Sequence, residues 1–385
     1  MYICGKEIIM NKNPFIITDK VIPEYFCDRE KESAELVKLL ENGNNVVLLS
    51  QRRIGKTALI QYCYQQPRIK QEFITVYVDI LSTNNLQDFI YILGREIFDT
   101  IKTKGQRMWK SFVSIVKSLS GKLGIDPMTG FPTLNLQLGD IIEPNYSLKE
   151  IFQYLEASGK PCILAIDEFQ QISNYPEKNV EALIRSHILQ INGCRMIFSG
   201  SERHVLSEMF TVRSRPFYQS SSLMELSEIP EEKYVEFIIR MFASGQKLIE
   251  ESLARKIYEL NDGITFYIQR ICNGVYSNTE KDKIATEDIL YDTLDGILAS
   301  YDVIFRLKLS HMSTRQKELL FAIAKEGYAQ SITSVEFINK YALASASAVQ
   351  TSVKSLIKSE TVVRTEKGYV IDDRFFRLWL VKNFV

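Results

Sequence analysis

Over the first 227 residues, short apolar runs alternate with stretches of helical spacing. VVLLS (46–50), FITVYVDI (73–80), PCILAID (161–167), RMIFSGS (195–201) and SLMEL (222–226) each read as a buried strand. Thr57–Tyr64 and the amphipathic Leu86–Lys104 read as helices. Continuous apolar strands separated by helices predict an α/β core with a parallel sheet covered on both faces. The segment Gly105–Tyr146, containing IDPMTGFPTLNLQLGD, reads as an insertion with a small hairpin. After about Glu228 the strand runs stop, and PEEKYVEFIIRMFASG, QKLIEESLARKIYEL, ITFYIQRICNGVY and TEDILYDTLDGIL all have helical spacing.

From about Ser300, three helical segments precede TVVRTEKGYVIDD, a hairpin with Lys367-Gly368 at its turn, and DDRFFRLWLVKNF closes as a helix. That is the layout of a winged helix. The expected division is therefore a core over 13–227 with an insertion at 105–146, a helical lid over 228–299 and a winged helix over 300–385.

Composition narrows the chemistry. Lys+Arg and Asp+Glu both number 47, so no global field draws nucleic acid or an anionic membrane. The six cysteines are scattered with no C-x-x-C, and the chain has three histidines. This argues against a zinc site or a disulfide framework and suits a reducing cytosol. No apolar run reaches the ~18 residues a membrane helix needs. The N-terminus lacks the pattern of a secretion signal, so a cytoplasmic protein is expected, with Met10 as an alternative start.

VVLLSQRRIGKTALI (46–60) approaches the phosphate-loop pattern G-x-x-x-x-G-K-[ST], with Ser50 in the first glycine's place. It follows a strand and opens a helix, as that loop requires. The candidate nucleotide contacts are Ser50, Gln51, Arg52, Arg53, Ile54, Gly55, Lys56, Thr57 and Ala58. Backbone N–H groups of Arg53–Thr57 would cradle the β-phosphate at a helix N-terminus. Lys56 would bridge the β- and γ-phosphates, and Thr57 would hold Mg²⁺. Ser50 fits if its φ stays negative.

ILAIDEFQ (163–170) ends a strand in two adjacent carboxylates, at the sheet edge where α/β ligands bind. Asp167 would join the Mg²⁺ shell and Glu168 would polarise the attacking water. In RMIFSGS, either Ser199 or Ser201 is a sensor of the γ-phosphate or the water, or the stretch is a simple turn. Arg52 and Arg53 are solvated or touch a neighbour. Arg213 and Arg215 are surface charges, or one of them stabilises transition-state charge in a neighbouring subunit.

Together these stretches resemble the archaeal-type ATPase family, P-loop ATPases of the AAA+ superclass related to signalling NTPases with numerous domains and origin-recognition initiators. The resemblance runs over nearly the whole chain from Asn13. The family's opening phrase F-G-R-E-x-E corresponds to FCDREKE (26–32), with Asp28 in place of glycine. Its usual position beside the adenine makes Phe26 and Arg29 candidate base contacts. SQRRIGKT, IDEFQ, GSERHVLSEMF and RPFYQ match further family phrases. The resemblance implies an ASCE-type AAA+ core with a helical lid and a C-terminal winged helix. One departure is GITFYIQ (263–269), where Ile264 and Thr265 replace the lid's usual His-Pro. That puts lid-coupled hydrolysis in question.

The leading expectation is an Mg²⁺-dependent ATPase acting as a nucleotide-driven switch, with ATP and ADP as ligands. Its rivals are an ATP-regulated DNA-binding protein and a slow or non-hydrolysing switch that binds a protein client. Residues 301–385 carry 13 Lys+Arg against 8 Asp+Glu, a modest basic bias, yet the recognition-helix candidate has only Lys354 and Lys358. Arg215 leaves a homo-oligomer open.

Overall fold

The computed structural model describes residues 13–17, 22–102, 104–120, 123–125, 132–134 and 141–385; the alternative start at Met10 lies outside them. Within Thr18–Tyr234, strands β1 (Val46–Ser50), β2 (Ile74–Asp79), β5 (Cys162–Asp167), β6 (Cys194–Gly200) and β7 (Ser222–Leu226) form one parallel sheet, while β3 (Leu123–Ile125) and β4 (Pro132–Leu134) pair apart from it. The sheet order is β2-β5-β6-β1-β7. Every residue of β1 and β5 is buried, whereas the edge strands β2 and β7 alternate. Strands flanked on both sides and covered on both faces are near-continuous apolar runs, here up to the polar ends Ser50 and Asp167, whereas an edge strand tolerates polar positions. β1 lies between β6 and β7 and runs parallel to both, and ligands of such sheets bind at the strands' C-terminal ends.

The segment 105–146 holds an antiparallel hairpin, with Leu123 opposite Leu134. It also holds a helix the sequence reading passed over, Gln106–Ile115, whose Phe112 meets the rings of Phe98 and Tyr154. A second such helix, Pro144–Ala157, buries Leu148, Ile151, Phe152 and Leu155.

Val235–Val385 and the segment ending at Ile17 form a separate unit. Phe15 is fully buried there, its ring centroid 6.1, 5.5 and 5.9 Å from those of Phe237, Phe242 and Tyr276. Asn13 Nδ2 donates to the Asn273 carbonyl at 2.8 Å, and Asn273 Nδ2 donates to the Phe15 carbonyl at 2.6 Å. The helix Glu287–Ser310 runs without a break through the expected boundary at 299/300.

Helices Thr314–Glu326, Val335–Lys340 and Ala346–Lys358 precede the hairpin Val362–Thr365/Gly368–Ile371 and the final helix Arg374–Phe384. The hairpin turn is Glu366-Lys367 rather than Lys367-Gly368, because Gly368 already pairs with Thr365. Gly368 adopts φ +128°, and a Cβ there would stand 2.7 Å from the Ala329 carbonyl oxygen. Arg374 is 2% exposed, ion-paired to Asp262 at 2.7 Å and donating to the Ile371 carbonyl at 2.5 Å. Asp262 immediately precedes the GIT turn, so that turn is anchored to the C-terminal helix. Among the described residues, no helix is long and apolar enough to cross a membrane.

Candidate nucleotide site

β1 ends at Ser50, and the chain turns through Gln51–Gly55 into the helix Lys56–Gln65. The turn needs a positive φ at Arg53 (+65°) and at Gly55 (+104°). Space is open around Gly55, so backbone conformation is what selects glycine there. Ile54 is buried and pins the loop, while Arg53 is exposed.

Ser50 keeps a negative φ, and its hydroxyl does more than fill a glycine's place. It donates to the Gln51 carbonyl at 2.8 Å and accepts from Lys56 Nζ at 3.1 Å. Lys56 Nζ also donates to the Gln51 carbonyl at 3.3 Å. The ammonium is therefore folded back over its own loop. Burial lowers its pKa, and the carboxylates of Asp167 and Glu168 partly offset this.

Asp167 closes β5 at 5% exposure and accepts four hydrogen bonds. Its Oδ2 receives Thr57 Oγ1 at 3.0 Å and the Tyr77 hydroxyl at 2.5 Å; Oδ1 receives Ser199 Oγ at 2.6 Å and the Glu168 amide at 3.0 Å. The loop hydroxyl and the strand carboxylate, 110 residues apart in sequence, thus meet directly.

Glu168 turns out of β5 at φ +57°. Its Oε2 accepts from Gln170 Nε2 at 2.6 Å, the Ser201 amide at 2.9 Å and Ser201 Oγ at 2.7 Å. The two serines of RMIFSGS therefore divide the work: Ser199 orients Asp167 and Ser201 orients Glu168. Gly200 between them has a steric reason, since a Cβ would lie 1.9 Å from Gln170 Oε1.

Two hard oxygen donors, one carboxylate and one hydroxyl, fit Mg²⁺, which keeps waters and takes its other ligands from phosphate. Among the described residues no group of three or more His, Cys, Asp or Glu could hold a metal. Any metal here would depend on the nucleotide for further ligands.

The remaining candidates lie elsewhere. Phe26 stacks on Tyr62 with centroids 4.2 Å apart and planes at 14°, which occupies one face of its ring. Arg29, 3% exposed, holds Glu32 at 2.8 Å and donates to the Ile54 carbonyl at 3.5 Å, bracing the loop from behind. Ala58 is a half-buried residue of the helix's first turn. Arg215 is bound within its own chain, to Glu181 at 2.5 Å and Ser173 Oγ at 3.1 Å. Burial raises the Glu181 pKa and Arg215 pulls it back. We expect Arg215→Ala to cost roughly 1 kcal/mol, lowering Tm by about 2–4 °C, with ATP turnover within about twofold of the parent. A large loss of turnover, restored by mixing with Glu168→Gln, would instead make Arg215 a residue acting between subunits.

Sequence reasoning missed Tyr77 and Gln170. Tyr77 had one weak signal, a hydroxyl in the largely apolar run ITVYV, which Thr75 shares. Gln170 had none, because its role comes from the turn that follows β5.

Residues 26–271 match a family described as an ATPase domain predominantly from Archaea, and residues 303–382 match a probable winged helix domain. An uncharacterized ATP-binding protein of Methanocaldococcus jannaschii is 29% identical over 160 residues, 39% of this chain and 44% of that protein. Another, from Pyrococcus horikoshii, is 26% identical over 251 residues, 58% of this chain and 68% of that protein. The chain thus spans less than half the length of the first of these relatives. Among solved structures, the Walker-type ATPase of Pyrococcus abyssi superposes with TM-score 0.67 at 20% identity, covering 96% of this chain and 99% of that one. The ADP form of the Aeropyrum pernix ORC2 protein gives 0.53 at 15%, covering 96% and 95%. At such identities these likenesses speak for the fold. The family match extends over well more than half of the chain, and this protein belongs to that family of ATPase domains found predominantly in Archaea.

Proposed function

We propose that the chain binds ATP with Mg²⁺, hydrolyses it by in-line attack of water on the γ-phosphate, and acts as a nucleotide-driven switch. The observation that carries this reading is the pair Asp167–Glu168: one carboxylate is bound to Thr57 of the loop, the other is held beside it by Ser201 and Gln170. Mg²⁺, when bound, would neutralise charge on the β- and γ-phosphates. Thr57 and Asp167 are the residues that would hold it. Lys56 would leave Ser50 and the Gln51 carbonyl for the phosphates, a short swing that exchanges neutral acceptors for charged ones. Ser201 and Gln170 occupy Oε2 of Glu168, so Oε1 is assigned to the water, orienting it and accepting its proton. The switch reading draws on the Arg374–Asp262 pair, which makes the GIT turn and the C-terminal helix one mechanical piece.

A second reading, a switch that binds ATP and barely turns it over, draws on Ile264, which is 3% exposed and begins the helix Thr265–Asn278 where the family has His-Pro. DNA binding through the winged helix is the weaker alternative. The helix Ala346–Lys358 offers only Lys354 and Lys358 as cations, and phosphate contacts supply most nonspecific affinity. A protein client and a homo-oligomer are the other partners proposed. Phosphate release measured with protein in excess over ATP separates the readings. We expect Mg²⁺-dependent release within a single turnover; tight binding with no release moves the assignment to the non-hydrolysing switch.

A further inference from the structure

We infer that Tyr77 is a positioning residue for the metal pole of this site, holding the Asp167 carboxylate in the orientation in which it supports Mg²⁺; the inference rests on the Mg²⁺·ATP reading above. β2 and β5 are parallel neighbours, with Tyr77 opposite Ala165 and Asp79 opposite Asp167. Residues two apart on a strand share a face, so Tyr77 and Asp79 line the same side of β2. Ala165 is small and leaves the phenol room to lean along the strands toward Asp167. Its hydroxyl arrives 2.5 Å from Asp167 Oδ2 and 3.4 Å from Thr57 Oγ1, the two oxygens assigned to the metal. Tyr77 thus reaches the metal pole from β2.

The direction of the hydrogen bond is fixed by chemistry. A phenol O–H can donate and an ionised carboxylate can only accept, so at 2.5 Å the hydroxyl donates to Asp167 Oδ2. A carboxylate held this way keeps its plane beside Thr57 Oγ1, the other oxygen that would hold the metal. Hydrogen-bond partners of metal-holding groups typically contribute about 10–100-fold to metal affinity. Tyr77 also borders a cavity of about 440 Å³ with Asp79, Leu81, Ile92 and Arg95. Tyr77→Phe removes the hydroxyl and keeps the ring.

The test is the affinity of the full chain for a fluorescent ATP analogue, measured in saturating Mg²⁺ and in EDTA, for the parent and for Tyr77→Phe. The ratio of the two affinities reports how strongly metal and nucleotide help each other. We expect Tyr77→Phe to bind within about twofold of the parent in EDTA, and its Mg²⁺/EDTA ratio to fall about tenfold. A purely structural role would lower both affinities together, and a Tm scan of each protein shows it independently. An unchanged ratio overturns the role of Tyr77 and leaves the metal reading standing. An increased ratio also overturns it, because the hydroxyl would then compete with the metal for Asp167. A parent protein with no Mg²⁺ dependence removes the metal reading itself, and the inference with it.

Discussion

Lys56→Ala is expected to lose ATP binding while the fold survives. The ammonium is 8% exposed, yet its contacts are two neutral oxygens of its own loop, and neither belongs to the apolar core. Removing it also removes a burial penalty already visible in its lowered pKa. Ser50 goes on donating to the Gln51 carbonyl, so the loop keeps an internal tie. The nucleotide, in contrast, loses its main cation. Truncating one partner of a buried charge pair costs about 2–5 kcal/mol, which corresponds to roughly 30-fold to several thousandfold in affinity. Isothermal titration gives the affinity and a melting curve gives the fold. Parental affinity in Lys56→Ala would remove the phosphate-loop assignment.

Glu168→Gln is expected to give the opposite separation, with binding kept and turnover lost. The amide has the carboxylate's shape, and its oxygen can still accept from the Ser201 amide, Ser201 Oγ and Gln170 Nε2. The left-handed backbone at 168 costs the same for either residue. What disappears is the basic oxygen facing the water, and positioned general bases contribute about 10²–10⁴-fold. Phosphate release at saturating Mg²⁺·ATP should fall by that factor while nucleotide affinity stays within a few-fold. If Glu168→Gln hydrolysed ATP at the parental rate, the base would have to be sought at another residue.

How much of this was legible in the sequence depends on how local each interaction is. β1 and β5 could be read because burial on both faces leaves no room for polar residues. The strand-loop-helix around Gly55 could be read because backbone geometry demands glycine there. Asp167 and Thr57 could be paired by their chemistry before their contact was visible. The helix Pro144–Ala157 was overlooked although Leu148, Ile151, Phe152 and Leu155 have helical spacing, because the turn-rich stretch before it drew the reading toward a loop. Tyr77, Gln170 and the Arg215–Glu181 pair were out of reach for a different reason. Each depends on which strands are neighbours and in what register, and a single sequence does not state that. Ser50 was recognised as a substitute for glycine, but its bond to Lys56 required the side chain to fold backward over the loop.

Phe15 gives the chain an unusual order of assembly. The unit that contains it is completed by Phe237, Phe242 and Tyr276, and the whole nucleotide-binding unit is spelled out between. During synthesis at about 5–20 residues per second, the phenyl ring waits roughly 10–50 s for its partners. The nucleotide-binding unit can fold in that interval, as a domain inserted within the other. The Phe15 ring is then buried only after its partners are made, and the seam it closes joins segments that lie on either side of the nucleotide-binding unit in sequence.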